Sequence, residues 1–192
     1  MTANHSPTDR LGQPPAPIAA GAHPLLGIEP ASVGKVVIGL GAFMAAMPFV
    51  GPAVGVPLDG AAWQWSTDRI VLHLVPGLLG VVLGLSVVRV ARRGAGGRLA
   101  MAPGLRLLAY ATVALGAWMG AGPWLYDLVV PGAGQSGLMF LGVPGWASMS
   151  PLHQMALEAV CHWGPGILTA ASGLAVSAVA VGIAHPGRPE PA

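Results

Sequence analysis

His73-Leu-Val-Pro76-Gly77-Leu-Leu79 returns 89 positions later as His162-Trp-Gly-Pro165-Gly166-Ile-Leu168. The same register holds on either side: Val71 falls on Val160, Gly84-Leu85 on Gly173-Leu174, and Val87 on Val176. Upstream of each copy lies a second echo. Leu40-Gly-Ala-Phe-Met44 with Pro48-Phe49 matches Leu115-Gly-Ala-Trp-Met119 with Pro123-Trp124, at a register of 75. Read this way, the chain is one two-segment unit written twice, with 14 more residues inside the second copy. Self-similarity of this kind bears on architecture before any single residue does.

Composition says what the solvent is. Only 8% of the 192 residues are charged and 54% are apolar, with a mean hydropathy of +0.67. A soluble domain carries about 25% charged residues, so this chain lacks the polar groups to cover a globular surface. Four apolar runs, Val36 to Leu58, Ile70 to Val90, Leu107 to Tyr126 and Trp163 to Ala184, each approach the ~20 residues a bilayer-spanning helix needs. Gly (29) and Pro (19) are abundant, as membrane helices tolerate and soluble bundles do not. The expected fold is all-α: four transmembrane helices in two tandem hairpins. Each unit crosses twice, so both copies enter from one side, and a pseudo-twofold axis along the membrane normal should relate them.

The expected division follows. Residues 1–32, polar and rich in proline, form a disordered cytoplasmic tail, and no signal peptide is expected. Residues 33–93 are the first repeat, 94–105 an Arg-rich loop, 106–185 the second repeat with a long outer loop at about 127–158, and 186–192 a second tail. Arg89, Arg92, Arg93, Arg98 and Arg106 crowd around the middle loop with no acid among them, so the positive-inside rule places it, and both termini, in the cytoplasm. Five of the six tryptophans lie on or beside the opposite, outer loops. The second outer loop carries Leu138-Met-Phe-Leu-Gly-Val143, apolar enough to lie on the membrane or against a partner.

The Gly-Ala-aromatic-Met stretch followed by Met47-Pro48-Phe49 and by Gly122-Pro123-Trp124 resembles the SPW-repeat family of small bacterial membrane proteins. That resemblance covers about residues 36–184. It implies a two-span hairpin unit in a bacterial inner membrane and carries no settled activity.

Candidate chemistry gathers at the outer boundary. Pro48 and Pro123 should kink or stop the first and third helices. Arg69 and Glu158 carry opposite charges at equivalent positions and are expected to pair across the repeats. For His73 and His162 three readings stand. They could ligate a haem iron, as in a haem b site. They could hold a transition metal with Glu158, His153 or the single cysteine, Cys161. Or each could satisfy a carbonyl freed by the following Pro76 or Pro165, each imidazole facing its own hairpin. The balance falls on packing, because the first and third spans hold no further histidine.

No Walker loop, dinucleotide fingerprint, His-Glu-x-x-His or Gly-x-Ser-x-Gly is present. Nor do the few basic residues form a nucleic-acid surface. The expected function is a non-enzymatic integral membrane protein, an accessory or structural subunit of a larger complex. The alternatives are a haem- or metal-binding protein using His73 and His162, and an oligomeric transporter or channel.

Overall fold

In membrane helices made of small and apolar residues, backbones can approach closely wherever glycines face each other. The computed structural model, which describes residues 28–54, 65–93, 98–129 and 150–184, is built on that principle. It is all-helical. Helix α1 runs Pro30–Val50 and passes into a 3-10 turn, Gly51–Val54. A short α2 (Thr67–Arg69), a π-helical turn (Ile70–Leu74) and α3 (Val75–Arg93) form one continuous rod. Helix α4 spans Arg98–Val129. A second rod follows from α5 (Pro151–Glu158), a second π turn (Ala159–Trp163) and α6 (Gly164–Ala184). Four segments are long and apolar enough to cross a membrane: Pro30–Ala53, Ile70–Arg93, Pro103–Tyr126 and Pro151–Val181.

Helix α1 packs closely on α3 and α4 on α6, while α3 meets α4 and α6 meets α1 along looser seams. That order makes a square bundle in which α3 and α6 stand on one diagonal and α1 and α4 on the other. Glycine sets the tight pairs. A Cβ on Gly41 would stand 2.6 Å from the carbonyl oxygen of Gly77, and one on Gly116 would stand 2.6 Å from that of Gly166. Further along, a Cβ on Gly84 would come within 2.6 Å of Gly34 O, and one on Gly173 within 2.7 Å of Ala109 O. Each first-hairpin contact has its second-hairpin counterpart at the registers of 75 and 89 read from the sequence. The hydroxyls of Ser86, Thr112 and Ser172 bond back to carbonyls four residues earlier, so they need no polar partner from elsewhere.

Several expected boundaries move. Helix α1 begins at Pro30, inside the expected tail, because Pro at the first helical position is already set for the helix. Helix α4 begins at Arg98, so most of the expected 94–105 loop is helical. Residues 151–158, expected in the long outer loop, form α5. Ser150 caps it by accepting a hydrogen bond from the His153 amide at 3.3 Å, and Pro151 sits at the first position. Pro48 and Pro123 do not stop their helices: α1 continues to Val50 and α4 to Val129. Both prolines are buried, so packing holds the chain on its course where one ladder bond is missing. The apolar stretch 138–143 and the tails 1–27 and 185–192 lie outside the described residues.

Candidate functional site: a histidine pair on the bundle axis

The two π turns occupy matching positions, Ile70–Leu74 and Ala159–Trp163, and each carries its histidine fourth. A π turn bonds each amide to the carbonyl five residues back, and such turns occur mostly at functional sites. Here Val75 N–H donates to Ile70 O, and Gly164 N–H to Ala159 O. The next residue in each case is proline, Pro76 or Pro165, which has no amide hydrogen. In the first copy the carbonyl so released is Val71 O. It accepts instead from the indole Nε1 of Trp118, on α4, at 3.2 Å.

That bond settles one sequence expectation. The carbonyl freed at Pro76 is answered by Trp118, not by His73. Phe43, 75 positions before Trp118, has no hydrogen to donate, so that position makes no such brace. Trp118→Phe should leave Val71 O without its partner and lower stability by about 1–3 kcal/mol. A thermal unfolding midpoint in detergent equal to wild type would show the brace to be dispensable.

Both imidazoles turn inward across the α3–α6 diagonal. Their ring centroids are 4.9 Å apart, with planes inclined at 60°. His73 is 5% exposed, and His162 and Glu158 are 1% exposed. The packing arrangement required each ring to face its own hairpin, so the structure departs from it. His162 Nδ1 and Glu158 Oε2 are 3.1 Å apart, one helical turn apart on the same rod. An ionised carboxylate only accepts, so Nδ1 donates, and in the neutral ring Nε2 keeps the lone pair.

Of the buried polar atoms with no hydrogen-bond partner among the described residues, four belong to this group: both ring nitrogens of His73, Nε2 of His162 and Oε1 of Glu158. Each such orphan costs about 1–3 kcal/mol, and native interiors leave few of them without a water, an ion or a role.

The other expected site residues separate. Arg69 is buried, and Glu158 makes an ion pair with His162. A carboxylate four residues from an imidazole on one rod needs no tertiary approach to meet it. His153 is exposed on α5, nine residues before His162, and stands outside the buried group. Cys161 is buried and forms no disulfide. No cluster of three His, Cys, Asp or Glu side chains is assembled among the described residues, so Glu158 supports His162 rather than completing a three-ligand cage.

Geometry distinguishes the two cofactor readings. A haem with two axial imidazoles needs nitrogens about 4 Å apart on opposite faces of a flat macrocycle, and ring centroids a little over ~6 Å apart. At 4.9 Å there is no room for the macrocycle, and haem does not fit. Two imidazole nitrogens on one ion at about 2 Å, with a tetrahedral angle between them, put the centroids about 5 Å apart. That does fit. The Trp118 brace was not legible in the sequence, because it depends on a carbonyl released only once the π turn forms.

No family model, curated protein or solved structure matches the chain.

Proposed function

We infer that this is a non-enzymatic membrane protein that binds one transition-metal ion between two duplicated hairpins. His73 and His162 are the ligands, and Glu158 orients His162 from behind. The observation that carries the reading is the contact between two buried imidazoles, three of whose four nitrogens have no hydrogen-bond partner among the described residues. Metal-bound histidines almost always donate their other ring N–H to a carboxylate or carbonyl, and Glu158 stands in that relation to His162. The shared registers of the glycine contacts and of the π turns support a pseudo-twofold axis along the membrane normal. The two histidines then lie at one depth, near the outer boundary, with the Arg-rich end and both termini in the cytoplasm. Opposite hairpins supply one ligand each, so the ion ties the repeats together.

Protein purified in mild detergent, stripped with chelator and reloaded, should retain one ion per chain through a desalting column. Glu158→Gln keeps a hydrogen-bond acceptor but loses the charge, and should weaken binding about 10–100-fold. Metal supplied outside sealed right-side-out vesicles should reach the site. A stripped protein that takes up nothing above a mock membrane preparation overturns the reading.

An accessory subunit remains the second reading, supported by the Leu138–Val143 stretch, whose apolar sequence between two spans would suit a protein partner. Such a subunit would co-purify with that partner at fixed stoichiometry.

A further inference from the structure

We propose that Trp118 is the positioning residue of the histidine site: by its bond to the Val71 carbonyl it locks the first π turn and so aims His73 at His162. This rests on the metal reading of the two histidines and says what fixes the first ligand.

The two ligands are not held alike. His162 has an orienting side chain on its own rod, Glu158, with Oε2 3.1 Å from Nδ1. The position that matches Glu158 at the register of 89 is Arg69. A guanidinium only donates, so it cannot accept a hydrogen from an imidazole. Both ring nitrogens of His73 are buried with no hydrogen-bond partner among the described residues, so no bond to the ring sets its direction there. The backbone that carries the ring must set it.

That backbone has two ways to wind. In α winding the Val75 amide would bond the Val71 carbonyl, four residues back. In the π turn it bonds Ile70 O instead, and Pro76, next in line, has no hydrogen for Val71 O. Slipping from π to α is a step of one residue, and turns His73 by about 100° relative to α3. Such a turn takes the imidazole off the diagonal. The Trp118 indole occupies the carbonyl that the slip requires, at 3.2 Å. Packing alone does not tie the turn to α4 here. Val75 and Pro76 on one side and Ala111 and Leu115 on the other border an apolar groove of about 540 Å³, with Val71 and Trp118 beside them. A directional bond in such apolar surroundings is strong, and its loss is not made good by water. The second copy has no donor at the matching position, Phe43, and there Glu158 holds the imidazole directly.

The test replaces Trp118 in the full-length, chelator-stripped protein in detergent. Benzothienylalanine keeps the ring's size and puts sulfur where the indole N–H stands, and Trp118→Phe is made in parallel. Co(II) is the probe metal, since imidazole suits such ions and its visible spectrum reports ligand geometry. In the stripped wild type, rings with centroids 4.9 Å apart should share a nuclear Overhauser contact. Both replacements should lose that contact and weaken Co(II) binding about 10–100-fold, with helix content unchanged. Phe43→Leu, at the matching position, should alter neither. Replaced proteins that keep the ring contact, or that bind Co(II) as wild type does, would reduce Trp118 to a structural brace and overturn the proposal, whatever happens to the melting temperature. A wild type that takes up no metal would sink the metal reading alone, because the ring contact is read without metal and still decides whether Trp118 aims His73.

Discussion

His73→Leu should abolish metal uptake and yet leave the stripped protein as stable as wild type, or more so. Neither nitrogen of His73 has a hydrogen-bond partner among the described residues, and the side chain is only 5% exposed. Leucine fills a similar volume and removes two orphaned polar atoms, a relief of order 1–3 kcal/mol. A histidine kept for packing would behave in the opposite way, since its loss would destabilise the bundle. Unfolding midpoints of the stripped proteins, read beside metal content, separate the two. A His73→Leu protein that still binds its ion, or that melts well below wild type, would sink the reading. His162 is a different case. Its removal leaves Glu158 as a buried carboxylate without a partner, which costs about 3–5 kcal/mol. The informative variant is therefore His162→Leu with Glu158→Gln, in which no uncompensated charge remains.

Gly166→Leu should prevent assembly of the second hairpin. A Cβ there would lie 2.6 Å from Gly120 Cα and 2.8 Å from Gly116 O, and both are backbone that cannot step aside. The two helices would have to separate along their tightest seam, a loss of more than ~4 kcal/mol. Gly77→Leu should do the same to the first hairpin, where Gly41 and Ala45 stand against it. Gly39→Leu is the control, because nothing lies within 4 Å of a Cβ at that position. Detergent-resistant compactness, followed by size-exclusion chromatography and helix content, should be lost in the first two and kept in the third. Equal behaviour of Gly166→Leu and Gly39→Leu would show that glycine contact does not organise the bundle.

The four segments long and apolar enough to cross a membrane, the registers of 75 and 89 and the histidines in one motif were all legible in the sequence alone. Hydropathy and self-similarity are properties of order along the chain, so they survive without coordinates. Which way each helix turns was left to the tertiary structure. In a soluble helix the apolar stripe marks the buried face. Here the outward side is apolar too, with Leu78, Leu79, Leu85, Ile167, Leu168 and Leu174 all exposed, so periodicity carried no information about rotation. The π turns added a local change of winding that no propensity announced, and with it the aim of both imidazoles. Residues 151–158 read as the end of the long outer loop, and the cap at Ser150 starts a helix there. Glu158 and His162, four residues apart on one helix face, meet at 3.1 Å. Sequence order shows which groups stand at matching positions, and only the packing of the helices decides which of them meet.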